Sequence, residues 1–214
     1  MLAPDGAATF TLMGFRAPLP LDPLPAGWYH RKFWRYAPMD ISFEKKAGRP
    51  AIRLATRASA SMLFRYVDVS LDRYPVLSWD WYIEQPIEID FNELTRAGDD
   101  HPARLFLRYM SAREEPHAME IVWGNHKLRK GDWKHLENFW GTRSFPHYTA
   151  NGGHENTGQW HEEKVNLLTL YSGLWGDPRG ARLTEIALFC DTDQTGGSSI
   201  AYFAEIRVEQ ERRM

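Results

Sequence analysis

Cysteine is nearly absent from this chain: Cys190 is the single one in 214 residues. A framework of internal disulfides is thereby excluded. Its setting, the apolar run Ile186-Ala187-Leu188-Phe189-Cys190, marks it as a buried, inert thiol rather than a nucleophile. No apolar run approaches the roughly 20 residues that cross a bilayer, so a soluble chain without a membrane span is expected. An excess of charge of either sign is lacking too. The 26 Lys and Arg stand against 28 Asp and Glu, for a formal net charge of -2, and the pI is near 6.4. That balance offers no basic field to nucleic acid. No internal repeat of about 20 to 50 residues is present, nor any low-complexity tract. Met1 to Thr11 lack a basic start followed by a long apolar segment, so the expected compartment is the cytoplasm, or the exterior if a signal peptide has been removed.

What the chain does have is apolar and aromatic mass, 43% and 14% of its residues, enough for one substantial core. Pro18, Pro20, Pro23 and Pro25 disfavour helix, so residues 1–27 are expected to form an extended segment packed on a single domain spanning residues 28–214. Side chains alternate between the two faces of a strand, and the alternation is clearest at Leu77-Ser78-Trp79-Asp80-Trp81-Tyr82-Ile83. Leu77, Trp79, Trp81 and Ile83 suit a core, and Ser78, Asp80 and Tyr82 point away from it. Arg104 to Met110 divides likewise, with Leu105, Leu107 and Tyr109 inward and Arg104, Phe106 and Arg108 outward. Glu114-Glu115-Pro116 marks a turn into an antiparallel partner, Met119 to Trp123, which carries Glu120 outward. Further strands are expected between Ile41 and Val69, from Ile186 to Asp191 and from Ile200 to Val208, and Glu162 to Tyr171 reads as a strand running into a short helix. The expected fold is all-β: an antiparallel β-sandwich of jelly-roll type with short helical insertions. Gly124 to Trp160, dense in His, Gly and aromatics such as Trp133, Trp140 and His147, breaks the alternation and is expected to be a long functional loop.

The order Trp79-Asp80-Trp81, Asp99-Asp100-His101-Pro102-Ala103-Arg104, Val122-Trp123-Gly124-Asn125, Gly158-Gln159-Trp160 and Cys190-Asp191-Thr192-Asp193-Gln194-Thr195 resembles the bacterial family known as domain of unknown function 3047, over roughly Pro75 to Val208. The resemblance implies a jelly-roll-like sandwich, similar in shape to carbohydrate-binding modules and sandwich lyases, and no established activity. The segment from Gly131 to His154 is enlarged relative to that pattern.

If neighbouring strands carry them, Asp80, Tyr82, Arg104, Phe106, Arg108 and Glu120 share one face. Arg offers a planar fork to carboxylates, rings cover apolar sugar faces and carboxylates accept hydroxyl protons. A mutual salt-bridge network is the competing reading of the same residues. The expected ligand contacts are Tyr82, Arg104, Phe106 and Arg108, with Asn125 and His126 from the loop. For a catalyst, Asp80 and Glu120 are the candidate acid and base, aided by Tyr148 and His154. Asp99, Asp100, Asp191 and Asp193 are candidate oxygen ligands for calcium, or else acceptors for backbone amides in their own turns. The function expected first is binding of a polar, carbohydrate-like or carboxylate-bearing ligand. A jelly-roll lyase, isomerase or hydrolase on the same face and a structural or protein-interaction module are the alternatives. The partner is then a small molecule or glycan, and the sequence leaves oligomeric state open.

Overall fold

Alternation of apolar and polar residues produces thirteen strands among the described residues of this computed structural model, which are 7–16, 19–137 and 144–211. In chain order they are β1 (Thr9–Met13), β2 (Tyr29–Lys32), β3 (Asp40–Lys46), β4 (Arg49–Arg57), β5 (Ser61–Ser70), β6 (Val76–Gln85), β7 (Arg104–Met110), β8 (Pro116–Gly124), β9 (Trp133–Glu137), β10 (Ser144–Gly152), β11 (Trp160–Asn166), β12 (Arg182–Phe189) and β13 (Ser198–Glu209). The helix α1 (Leu167–Trp175) follows β11 directly. Asn166 caps it by accepting the N–H of Thr169 at 3.0 Å, the role its short amide favours.

One sheet runs β11-β6-β13-β4-β3, with β1 also on β13, and the other runs β2-β5-β12-β7-β8-β10-β9. Their inner faces meet in an all-β sandwich of jelly-roll type. The tryptophans of β6 are core, as their alternation predicts, and Trp79, Trp81 and Trp123 are fully buried. Trp81 of one sheet meets Trp123 of the other edge to face at 5.5 Å, and Trp79 and Phe203 at 5.3 and 6.2 Å. An aromatic side chain hides about 150–250 Å², so each ring contributes about 4–6 kcal/mol of transfer free energy at roughly 25 cal/mol per Å². Cys190 is buried, and burial raises its thiol well above the usual range, which keeps it unreactive.

Two expectations need correction. The stretch from Gly124 to Trp160 is not one long loop: it carries β9 and β10, which pair with each other, and β10 inserts between β9 and β8. Its Trp140 lies outside the described residues. The sandwich is also not wholly antiparallel, because β10 runs parallel to β8. Within the segment 1–27, β1 pairs with the end of β13; Pro18 of its proline series lies outside the described residues.

The parallel pair needs the 125–132 connection to pass close over the strand ends, and glycine makes room for it. A Cβ on Gly124 would lie 2.2 Å from the Leu128 carbonyl oxygen, and one on Gly152, its register partner, 2.6 Å from the same atom. Glu93 fixes this connection from the other side. Fully buried, it accepts the backbone N–H groups of Asn125, His126, Lys127 and Leu128.

Candidate functional site

Cross-strand register lays one row of outward side chains over the whole second sheet. Tyr29 of β2 lies opposite Phe64 of β5, Phe64 opposite Ala187 of β12, and Ala187 opposite Phe106 of β7. Phe106 lies opposite Glu120 of β8, Glu120 beside His147 of β10, and His147 opposite Lys134 of β9. The row begins aromatic and half open to solvent and ends charged and buried.

At the buried end the 91–101 segment folds over the sheet, and Arg104 is enclosed by three carboxylates. Its guanidinium nitrogens stand 2.7 Å from Glu120 Oε2, 3.3 Å from Asp99 Oδ1 and 2.9 Å from Asp191 Oδ1. Lys134 Nζ directs its three protons to Asp99 Oδ1 at 2.6 Å, the Glu93 carbonyl at 2.8 Å and His101 Nε2 at 2.8 Å. His101 Nδ1 lies 2.8 Å from the Trp123 carbonyl, which can only accept, so Nδ1 carries the proton and Nε2 receives the one from Lys134. Burial, with Lys134 and Arg104 beside it, pushes His101 well below the ordinary range and keeps it neutral. His147 behaves oppositely. Burial works against its charge, but Glu120 at 3.2 Å and Asp99 at 3.5 Å outweigh that and raise it. Burial alone would raise Asp99 and Glu120 as well; Arg104 and His147 hold both carboxyls below their usual range, with Lys134 adding to the effect on Asp99. Burial lowers Lys134, which Asp99 partly offsets.

The open end offers rings and a charged bridge. Tyr29 stacks on Phe64 with centroids 5.2 Å apart, and Tyr66 meets Phe64 edge to face at 5.3 Å. Tyr29 and Tyr66 remain 47% and 56% exposed, so both present ring surface to solvent. Beside them Arg31 lies over Phe64 at 4.2 Å and reaches Glu185 at 2.9 Å. Arg108 approaches the same carboxylate from the other side at 3.7 Å. Two half-open guanidiniums thus share one buried carboxylate, a locally cationic arrangement suited to a planar anion.

The sequence-predicted residues fall in several places. Arg104, Phe106, Arg108 and Glu120 do share a face, but Arg104 and Glu120 are buried and bound to each other, the mutual network that was the competing reading. Asp80 and Tyr82 do not join them. They sit on the outer face of the other sheet, because β6 belongs to it, so Asp80 and Glu120 are not an acid and base pair within one site. Tyr148 projects to the opposite side of β10 from His147 and packs with Trp133 at 5.1 Å. His154 lies against His126 at 4.9 Å, with His126 Nε2 3.1 Å from the Ile89 carbonyl. Asn125 is buried and donates to the Asp100 carbonyl at 2.9 Å. Tyr66, Lys134 and Glu185 escaped sequence reasoning, whereas Tyr29 and Arg31 belong to the aromatic and basic cluster Trp28 to Trp34, which reads from sequence either as a stacking platform for sugar rings or bases or as an edge segment pinning its aromatics onto the core. Lys134 carried a faint signal, the alternation Trp133-Lys134-His135-Leu136-Glu137, in which Lys134 and Leu136 are the buried pair.

Of the four candidate metal ligands, Asp100, Asp191 and Asp193 offer oxygens within 4.8 Å of one another and could hold an ion. Asp99 instead belongs to the Arg104 cluster. Two of the three already serve as backbone anchors: Asp100 accepts the N–H groups of Gln194 and Thr195 at 3.3 and 2.7 Å, and Asp191 that of His101 at 3.1 Å. Burial and the Asp100 carboxylate push Asp193 up to about 6.

Among the described residues no helix is long and apolar enough to cross a membrane. The family model described as "Protein of unknown function (DUF3047)" matches residues 26–207. No curated protein matches the chain in sequence. Among solved structures, a family 30 carbohydrate-binding module of a cellulosomal cellulase of Clostridium thermocellum superposes with a TM-score of 0.47 at 10% identity, covering 96% of this chain and 99% of that one. The xyloglucanase domain of NopAA, a type three effector from Sinorhizobium fredii, gives a TM-score of 0.47 at 11% identity over 87% of this chain and 95% of that one. Endoglucanase Cel12A from Rhodothermus marinus gives 0.47 at 9% identity, with 86% and 93% covered. At such identities the likeness extends to overall shape and no further.

Proposed function

Since the chain belongs to the DUF3047 family of proteins of unknown function, we propose from its own geometry that it binds a carbohydrate-like ligand, one bearing a carboxylate, on the outer face of the second sheet. The observation that carries this reading is the open end of the row. Tyr29 and Tyr66 expose ring surface around Phe64, immediately beside the Arg31, Glu185 and Arg108 bridge. Rings of this kind cover the apolar face of a sugar, while a guanidinium fork takes its carboxylate, and the buried Glu185 between them holds Arg31 and Arg108 in place. The buried end of the row supports the platform from below and holds its strands in register.

The test is a thermal-shift screen of the purified protein against neutral oligosaccharides, oligouronates and simple carboxylic acids. A ligand that binds only the folded state raises Tm by mass action. The expected result is a shift with oligouronates that Tyr66→Ala and Arg31→Ala each reduce. A cooperative melt unmoved by every sugar and acid would sink the reading. Should the Asp100, Asp191 and Asp193 carboxylates take an ion, their oxygen-only donor set suits a hard cation such as calcium. Its signature would be a Tm that rises with calcium at pH 8 and much less at pH 5.5, where Asp193 holds a proton.

A further inference from the structure

We propose a second ligand site, for a small molecule bearing a carboxylate, in a seam on the outer face of the other sheet. The seam arises from how β13 changes partners. Ser198 to Phe203 pair with β4, and Ile206 to Glu209 pair with β1, so Ala204 and Glu205 have no strand partner on that side. On the other side the ladder to β6 slips at the same place, from Ala204 opposite Asp80 to Arg207 opposite Ser78. Three steps along β13 thus match two along β6, one extra residue, which is a β-bulge. Glu205 within it adopts φ 39°, a region that residues other than glycine seldom visit. Bulges re-aim side chains, and strained backbone gathers at binding sites.

Over this seam lies a cavity of about 520 Å³ with Ala204 as part of its floor, within the usual size range of small-molecule sites. Three arginines reach it from three directions: Arg16 after β1, Arg49 at the start of β4 and Arg207 from β13. Arg16 is largely in solvent and meets Glu205 through one terminal nitrogen, at 3.1 Å. Arg49 meets Asp80 through one terminal nitrogen, at 3.2 Å, and its guanidinium lies over the Trp160 ring at 5.4 Å, which orients it. Arg207 reaches Glu205 at 3.2 Å and Glu162 at 3.8 Å, while its Nε is buried without a hydrogen-bond partner. Single-nitrogen contacts leave the fork geometry of Arg16 and Arg49 available, and that fork matches a carboxylate. Deeper in, Asp80 is only 9% exposed, and burial raises its carboxyl above the ordinary range despite Arg49. A donor brought against it by a ligand would meet that cost. The ligand chemistry that fits is therefore a carboxylate held between Arg16 and Arg49, with a hydroxyl or ammonium directed at Asp80. The site is independent of the platform on the second sheet, since no residue belongs to both.

The experiment is an NMR titration of the 15N-labelled full chain with sodium D-glucuronate, β-alanine and D-glucose in parallel. Glucuronate supplies hydroxyl donors, β-alanine an ammonium, and glucose lacks the carboxylate. Saturable shifts at Arg16, Arg49, Asp80 and Glu205 with one or both acids, and none with glucose, are expected. Which acid binds more tightly identifies the donor at Asp80. Arg16→Ala and Arg49→Ala, both at solvent-exposed positions whose folding the spectrum itself reports, should each weaken binding roughly tenfold to a hundredfold, the range for a charged hydrogen bond. Tyr66→Ala should leave the seam shifts in place. Three results would overturn the site: no saturable shift there with either acid, an equal response to glucose, or shifts that survive R16A/R49A. Shifts confined to Tyr29, Tyr66 and Arg108 would also overturn it while leaving the platform reading intact.

Discussion

Replacing Arg104 with methionine tests the buried end of the row most directly. Methionine keeps much of the volume and removes the charge that faces Asp99, Glu120 and Asp191 at 3.3, 2.7 and 2.9 Å. Asp99 and Glu120 keep His147, and Asp99 keeps Lys134, so the loss is that of one partner from a buried cluster. Such losses cost about 3–5 kcal/mol, because they leave uncompensated buried charge. In a chain of this size 1 kcal/mol moves Tm by roughly 2–4 °C, so Tm should fall by about 6–20 °C. The sign of the pH dependence is fixed as well. In the native protein Asp99 and Glu120 titrate below their usual range, so their contribution is present above the unfolded value near pH 4 and is lost as pH falls through the folded one. Without Arg104 burial pushes both carboxyls up, and a proton relieves the charge they cannot otherwise shed. The penalty measured by urea denaturation at pH 7 should therefore shrink at pH 5. A destabilisation under about 1 kcal/mol, or one that stays constant between those pH values, would refute the account of this cluster.

His101 and His147 should shape stability on opposite sides of neutrality. His101 is lowered, so the unfolded chain binds its proton first and stability falls as pH drops below about 6.5; His147 is raised, so its contribution is full below about 6.5 and is lost as pH climbs through the folded value. His147→Gln should flatten the alkaline limb of a Tm against pH curve while the acid limb remains, and an unchanged alkaline limb would mean that the imidazole is not charged. Gly124→Ala sets a Cβ against a backbone oxygen and should cost at least the roughly 1–3 kcal/mol of ordinary overpacking, measured by urea denaturation; a neutral result would mean that the 125–132 connection yields easily. Tyr66→Ala should leave Tm of the free protein within about 2 °C, since an exposed site seldom changes stability by more than 0.5 kcal/mol, yet reduce oligouronate affinity in calorimetry.

The fold was legible where burial is one-sided. On β6 and β7 apolar residues alternate with polar ones, and both strands were placed with the correct faces. The pattern could not reveal which sheet each strand joins, and that is why Asp80 and Tyr82 were grouped with Arg104. Along β9 and β10 the rule itself fails. Lys134 and His147 occupy positions as buried as Leu136 and Ala150, so the alternation of hydropathy vanishes and the segment resembles a loop. Glu93 had no periodic signal at all, because its burial comes from four amides that lie more than thirty residues further along the chain. The Asp100 and Asp191 turns were readable as backbone acceptors because Asx side chains bond nearby amides in most turns, although here they bond across the chain.

Burying so much charge on a sheet face has a consequence for register. A parallel pair is held by evenly spaced, slanted hydrogen bonds, and a slip of one residue turns every side chain to the opposite face. On β10 a slip would carry His147 into the apolar core and bring Tyr148 against Glu120. It would also separate Lys134 from Asp99, because β9 is paired with β10 through the same residues. The alternative register would thus strand an imidazolium among Ile121 and Trp123 and leave Glu120 to Arg104 alone, each a loss of several kcal/mol. An apolar seam of leucines at these positions would stabilise the strands without that discrimination. The charged network therefore acts as the register lock of the inserted hairpin, and the lock in turn fixes how the neighbouring Phe106, Glu185 and Arg108 are presented on the open half of the same face.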